Sequence, residues 1–495
     1  MPVPMIYCAK KQFRIALFTL LLTHLFWVPW VSAQPIASED ALWISGFEGQ
    51  VISARFPLID GAYQLPDYSV ADQLEWVIAE LAVGETTTVA EVQQRFTSAF
   101  DAPTIADFFN DNLRINFPDA AILDLIAMTP VSAVAIIDGT SGPTSSGFLQ
   151  INSQYSGDEL ISFLQVQNFF GTIQFPDDQI LELDAALDKF QSFQPDNSIF
   201  VGYIDQQNQC QPISTRSALT PRALGSIFKM WVLGGLAEEV ADVQIDTSDP
   251  ITLVAAERAS GGTINSEPLG TVFSVQDMAT LMMGISDNTA TDHLHELVGR
   301  AGIGQVVQDY GVADPDILLP FLNISEQFHV FSRFDLPTAL SYVNGTEPFQ
   351  ETFLSNQIEP LGPSFPTNFP FFHQQLLTDG TWAASPADVC QTLAGLRATA
   401  EDNGALELVD IAMASQAAFP NLRNEWDRVW YKGGSLASGA NGLHVLANAW
   451  LLENSGDFPP YVVVGLANNP AGGIDQFNIN SVLARVIELV RRFEP

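Results

Sequence analysis

Apolar residues recur along this chain with two different periods, and the change of period divides it. From Val70 to about Asp124 the period is helical, with Leu74, Val77, Ile78 and Leu81 at i, i+3, i+4 and i+7. Shorter helical segments are predicted near Val89–Phe96, Thr104–Asn110 and Asp119–Ile126. The pattern then turns to short β-branched and aromatic runs, Val131–Ile137, Gly147–Asn152, Leu160–Gln167 and Gly171–Phe175. Turn-formers such as Gly139-Thr140-Ser141-Gly142-Pro143 separate them. Helices followed by an antiparallel sheet predict a small α+β unit. Gln179–Phe190 reads as a helix leading out of it, and Gln194-Pro195-Asp196 as a boundary.

The pattern beyond that boundary predicts strands at Ser198–Asp205 and Gln211–Thr215, then a helix from Ser226 to about Val240. Helices are predicted at Val275–Ile285 and Ala290–Val298, on either side of Ser286-Asp287-Asn288. Between Tyr310 and Gly380 the period is poor, and the proline-rich stretch Ile358–Phe372 predicts an extended loop with the character of a lid. A helix at Pro386–Arg397, strands at Arg428–Tyr431, His444–Leu452 and Tyr461–Ala467, and a last helix at Ile479–Phe493 complete the pattern. One strand pair precedes the helical block and three strands follow it. This predicts a sheet closed by both ends of the unit, with the helical block as a lobe.

The N-terminus changes the picture of where the protein works. Lys10, Lys11 and Arg14 precede an apolar run from Ile15 to Trp30, and Val31-Ser32-Ala33 fits a signal-peptidase site. The expectation is a signal peptide over 1–33, an N-terminal unit over 34–195, a second unit over 196–495, and export to the periplasm or beyond the cell. An uncleaved membrane anchor is the alternative; after cleavage no stretch long enough to hold the chain in a membrane is expected. The 495 residues carry a net charge of −37, and loss of residues 1–33 removes three basic groups and no acidic one. Such a surface repels nucleic acid and anionic membranes. Oligomeric state is not legible. Cys210 and Cys390 remain after residue 33, and their pairing is left open by spacing alone.

Lysine usage brings in the chemistry. After residue 33 the only lysines are Lys189, Lys229 and Lys432. Lys229 lies three residues after Ser226, a spacing that puts a hydroxyl and an amine on one helical face. An amine so placed can take the proton of a serine nucleophile. At the start of a helix, unpaired backbone N–H groups favour a developing oxyanion. Alone, the pair reads equally as a helix cap and a surface lysine. Two further strings follow in order, Ser286-Asp287-Asn288 and Trp430-Tyr431-Lys432-Gly433-Gly434-Ser435.

Ser226-x-x-Lys229, Ser286-Asp287-Asn288 and Lys432-Gly433-Gly434, in this order, resemble the signature of the penicillin-recognising serine enzymes, and the second unit resembles a class A β-lactamase-type domain. Pro320-Phe321-Leu322 and Trp382-Ala383-Ala384-Ser385-Pro386-Ala387-Asp388 are similar to a two-domain branch that includes a clavulanic-acid-cluster protein and mycobacterial lipoproteins. The resemblance implies an α+β β-lactamase/transpeptidase-like fold, an antiparallel sheet plus helical lobe, after a small steroid-isomerase/NTF2-like or cystatin-like domain. It also implies no cofactor and no metal. By the resemblance Ser226 is the nucleophile, Lys229 the base and Ser286 a proton shuttle. Asn288 holds Lys229 or a substrate amide, and Lys432 supplies positive charge. The backbone N–H groups of Ser226 and Ser435 form the oxyanion hole, and Gly434 is counted with Asn288 and Ser435 among the substrate-binding residues.

Two departures separate the chain from a β-lactamase. No Glu-x-x-Leu-Asn segment supplies a base for the deacylating water, the nearest approach being Glu351-Thr352-Phe353-Leu354-Ser355, and Gly433 stands where a hydroxyl residue is usual. The expectation is therefore a serine hydrolase that forms an acyl-enzyme on Ser226 and acts on esters, amides or, weakly, β-lactams. A true class A-type β-lactamase or penicillin-binding enzyme is one alternative, and a non-catalytic protein that binds a small molecule in the same cleft is another. His293, His295 and Glu296 carry no recognised metal motif, Met282 and Met283 read as core, and Phe108, Phe109, Phe169 and Phe170 read as core or as the lining of a cone.

Overall fold

Near-continuous apolar strands such as Tyr461–Asn468 require a sheet buried on both faces. The computed structural model describes residues 56, 58–59, 62–140, 146–169, 171–367, 369, 371–439, 441–456 and 458–493; the expected signal segment lies outside them. It contains such a sheet. We label the first helices α1 (Ser69–Glu80), α2 (Val89–Arg95) and α3 (Ala102–Phe108). Strands β1 (Ala121–Thr129), β2 (Ser132–Asp138), β3 (Ser146–Ser153) and β4 (Ile161–Asn168) follow. These form a four-stranded antiparallel meander in sequence order. Leu74, Val77, Val92 and Phe109 pack with Leu125, Ala135, Leu149 and Ile151 in one apolar cluster between helices and sheet. Phe109 is thus core, Phe108 packs on the same cluster and Phe169 lies against the opposite face; Phe170 lies outside the described residues.

Two expectations in this half need correction. Residues predicted as helix at Asp119–Ile126 form most of β1. The run is rich in Ala, Leu and Ile, but its backbone is claimed on both sides: β2 pairs along one edge, and on the other Met128 N–H donates to Ser415 O (2.9 Å) and Ala417 N–H to Ile126 O (2.9 Å). The predicted strand Gly171–Phe175 is not one; Gln174 N–H donates to the Ser481 hydroxyl instead (2.9 Å). The helix leading out, α4 (Leu183–Ser192), packs not on the meander but on the second sheet, through Ala186, Leu187 and Phe190. Lys189 on α4 pairs with buried Asp178, which also accepts from Ser481 Oγ at 2.6 Å.

The second sheet is built from β5 (Asp196–Ile204), β6 (Cys210–Arg216), β7 (Arg428–Ser438), β8 (Gly442–Glu453) and β9 (Tyr461–Asn468). It is five-stranded and antiparallel, in the order β7-β8-β9-β5-β6. Both ends of the unit close it, with β9 beside β5 and Val463 opposite Val201. One face packs on α4 and the last helix, α14 (Gln476–Val490). The other faces the lobe, whose central helix α5 (Lys229–Ala241) is buried continuously from Lys229 to Ala237. A helix apolar all round belongs inside.

Around α5 lie α6 (Val275–Gly284), α7 (Asn288–Val298), α8 (Arg300–Asp309), α9 (Ile324–Ser332), α10 (Leu336–Val343), α11 (Glu347–Phe353), α12 (Pro386–Asn403) and α13 (Leu406–Met413). Helices α9 to α11 occupy the stretch with no clear apolar period. Their start signals are local: Asn323 and Glu326 form a reciprocal capping box, and Asp335 caps α10. The proline-rich segment is pinned rather than free, because buried Ser364 bonds to both Ser260 and Ser325. Cys210 and Cys390 form a disulfide between β6 and α12, with Cα atoms 6.2 Å apart.

Candidate active site

The site begins where β7, an edge strand, meets the turn that precedes α5. The residues predicted to start a helix at Ser226 instead form a 3₁₀ turn, Gly225–Phe228, and the α-helix starts at Lys229. Gly225 has φ +51°, and a Cβ on it would stand 2.5 Å from the backbone nitrogen of Ser435. A Cβ on Gly434 would stand 2.0 Å from Leu224 O and 2.7 Å from the backbone nitrogen of Ser226. Only glycine permits these approaches. The two backbone nitrogens expected to bind an oxyanion therefore lie together, one on the turn and one on the free edge of β7. Lys229 N–H bonds back to Ser226 O, an i to i+3 contact that sets the two residues on one side of the turn.

Aromatic packing fixes the turn from behind. Phe228 stacks on Trp382 with ring centroids 3.7 Å apart and planes at 9°, and also meets Phe321. Trp382 Nε1 donates to Leu322 O (3.2 Å), and Leu224 N–H donates to Trp382 O (3.0 Å). The strings Pro320-Phe321-Leu322 and Trp382–Asp388 thus converge behind the nucleophile turn.

Lys229 and Lys432 are both fully buried and meet at one hydroxyl. Lys229 Nζ lies 3.2 Å, and Lys432 Nζ 3.1 Å, from Ser286 Oγ. Lys229 also donates to Ser286 O (2.6 Å) and Asn288 Oδ1 (2.8 Å), and Lys432 to Gly433 O (2.7 Å). Among the described residues no carboxylate lies within ion-pair distance of either amine. Burial without a partner disfavours charge. It lowers Lys229 to about 7, against the opposing pull of Asp287 and Asp292. Lys432 is held well below the ordinary lysine range by burial and by Lys229 beside it.

Ser286 sits at φ +59°, an uncommon conformation for a residue with a side chain. Its neighbours hold it there. Asp287 caps α7 by accepting from Ala290 N–H (3.0 Å), and its other oxygen accepts from Thr263 N–H (2.6 Å) and Ile264 N–H (3.0 Å). Its carboxylate is thereby turned away from the lysines. Asn288 Nδ2 donates to Ser260 O (2.8 Å). From Ser260, whose hydroxyl donates to Ser364 O (2.5 Å) and whose N–H donates to Ser364 Oγ (2.9 Å), the link runs through the buried hydroxyls of Ser364 and Ser325 to Asp292, whose oxygens accept from Ile324 N–H (2.8 Å) and from both Ser325 donors. Burial raises Asp292 to about 7. Sequence reasoning missed this chain of serines, although the pair Gly261-Gly262 signals the close backbone approach that it supports.

Other candidates fall elsewhere. Glu351 is exposed on α11 and makes no bond to the lysine cluster among the described residues. Gly433 cannot carry a hydroxyl in this packing, since a Cβ there would stand 2.3 Å from the Tyr431 phenol oxygen. His293 Nε2 accepts from Val254 N–H (3.1 Å), so its Nδ1 carries the proton shared with Thr289 O, while His295 Nε2 faces Phe321 O.

Residues 182–341 match the model of the Beta-lactamase enzyme family. No curated protein matches the chain. Among solved structures, the chain is similar to a β-lactamase from Sphaerobacter thermophilus, at 15% identity and TM-score 0.40 over 62% of this chain and 96% of that one. A β-lactamase from Xanthomonas campestris gives 15% identity and TM-score 0.41 over 63% and 96%. An ancestral class A β-lactamase gives 18% and 0.41 over 62% and 98%. The family match and the sheet closed by both chain ends around a helical lobe make this a β-lactamase/transpeptidase-like fold.

Proposed function

We propose that this protein is an exported serine hydrolase that works through an acyl-enzyme on Ser226. The observation that carries the reading is the convergence of two buried, carboxylate-free lysine amines on the Ser286 hydroxyl, beside the Ser226 turn. In this reading neutral Lys229 takes the proton of Ser226 Oγ as that oxygen bonds to the substrate carbonyl carbon. The carbonyl oxygen gains charge between the backbone N–H groups of Ser226 and Ser435. The proton passes through Ser286 Oγ to the leaving alcohol or amine, and the acyl group stays on Ser226. Asn288 holds Lys229, while Lys432 donates to Ser286 and lowers the charge tolerance of its neighbour. Water then releases the acyl group. Among the described residues no glutamate is bonded to the lysine cluster to serve as a base for that water, and in this reading release is the slower half of the cycle.

Small esters and amides suit such a site better than rapidly turned-over β-lactams. The Cys210–Cys390 disulfide supports an oxidising compartment. Intact-mass labelling with a penicillin and with a phosphonate tests the reading. Wild type is expected to gain one probe on Ser226 and to lose the penicillin slowly. Ser226→Ala is expected to gain neither and to lose about 10³-fold or more in ester hydrolysis. Equal hydrolysis of chromogenic esters and cephalosporins by Ser226→Ala would remove Ser226 from the mechanism. Ligand affinity in wild type without any adduct would favour a binding protein.

A further inference from the structure

The segment 259–267 wraps the Ser286-Asp287-Asn288 turn from outside. Besides the bonds to Asp287 and Asn288, its backbone runs so close that a Cβ on Gly262 would stand 2.6 Å from Asp287 Oδ2 and one on Gly261 2.8 Å from Asn288 Nδ2. Arg258 holds the backbone of its far end, donating to Asn265 O and to Glu267 O (3.0 Å), while the bonds to the Glu267 carboxylate come from the meander half of the molecule. Tyr155 N–H donates to Glu267 Oε1 (2.9 Å) and Ser156 Oγ to Glu267 Oε2 (2.6 Å). The Tyr155 ring stacks on Phe273 at 4.0 Å, and its hydroxyl donates to Asp277 Oδ2 on α6 (2.9 Å). The C-terminal end of α6 is gripped as well: a Cβ on Gly284 would stand 2.5 Å from both Thr129 Cγ2 and Ser415 Oγ, two residues before Ser286. Residues of the first half therefore touch both flanks of the strained Ser286 turn, Tyr155 and Ser156 on one and Thr129, together with Ser415 of the second half, on the other.

We infer that Tyr155 and Ser156, acting through Glu267 and Asp277, are positioning residues of the hydrolase site, and that the N-terminal half is a brace that keeps the 259–267 wrap closed over Asn288 and water away from Lys229. The inference rests on the reading of Ser226 and Lys229 given above. A brace of this kind has a signature that a plain interface lacks. If the wrap loosens, water reaches Lys229 and the amine returns toward its ordinary basicity, so acylation needs a higher pH. The charged groups facing Lys229 are Asp287 at the N-cap of α7, Asp292 on α7 and Lys432 on β7, all unchanged by the variants below. Loss of the Glu267 charge by itself would act in the opposite direction, because a nearby anion favours the ammonium.

The test is the rate of Ser226 labelling by a phosphonate across pH in full-length Glu267→Ala, Glu267→Gln and Tyr155→Phe. Glu267→Ala is expected to move the midpoint up by about half a unit to one unit, which is about a threefold to tenfold slower rate near neutrality and a wild-type rate at high pH. Glu267→Gln keeps the shape and one acceptor, and is expected to move it less; Tyr155→Phe keeps the stack and is also expected to move it less, in the same direction. Should Glu267→Ala fail to fold, the other two decide. An unchanged midpoint with a lowered Tm would overturn the inference and leave an ordinary interface. An absence of labelling in wild type would instead overturn the hydrolase reading.

Discussion

Strand β7 carries a fully buried cation near each end of a five-residue stretch, and the two are treated in opposite ways. Arg428 meets Glu401 (2.8 Å), Glu453 (2.5 Å) and Asp410 (3.4 Å), while Arg397 joins Glu401 at 2.9 Å and Glu453 at 2.7 Å. Burial alone would lower Arg428, but Glu453, Glu401 and Asp410 outweigh it and raise it. Four residues on, Lys432 has Lys229 for company and a shared hydroxyl. The protein can neutralise a buried cation, and at Lys432 and Lys229 it does not. A compensated cation stays charged; an uncompensated one gives up its proton more readily, which is what the proposed role of Lys229 requires.

Breaking the compensated end should cost stability and leave the chemistry's pH response alone. Arg428→Met leaves the buried carboxylates of Glu401 and Glu453 to Arg397 alone and is expected to cost about 3–5 kcal/mol in denaturant unfolding, with the acylation midpoint unmoved. Compensating the uncompensated end should do the reverse. Asn288→Asp puts a carboxylate where Lys229 Nζ now meets an amide oxygen at 2.8 Å. It is expected to raise the acylation midpoint by about one to two units and slow labelling at neutral pH by about 10–100-fold. An Asn288→Asp protein with the wild-type midpoint would mean that the base is another group.

What could be read from the chain follows the range of the interactions. Ser226, Lys229, Ser286, Asn288 and Lys432 were legible because their chemistry depends on residue type, in a chain with almost no other lysine. Gly225 and Gly434 were legible as motif members, but not as the reason strand and turn can touch. The 3₁₀ turn was hidden, since the pattern does not report that Gly225 enters it at positive φ. Asp119–Ile126 was misread because its strand partners include residues 415–417, about 290 positions away. The chain from Ser260 through Ser364 and Ser325 to Asp292 consists of ordinary serines, and contacts rather than spacing give them their roles. Helices α9 to α11 were obscured by scattered aromatics, although Asn323 and Glu326 marked a start.

The central claim is that Lys229 is the base for Ser226 because it is buried without a counter-charge. The most direct measurement is the rate of covalent labelling of Ser226 by a phosphonate from about pH 5 to about pH 10, in wild type and in Lys229→Ala. The account predicts a wild-type rate that rises with pH to a midpoint of about 7, where Lys229 becomes neutral, and is level above it. Lys229→Ala is predicted to be about 10²–10⁴-fold slower with that rise gone. A wild-type rate still climbing past pH 9, at the ordinary basicity of a lysine, or a Lys229→Ala protein that keeps the same rise, would contradict it.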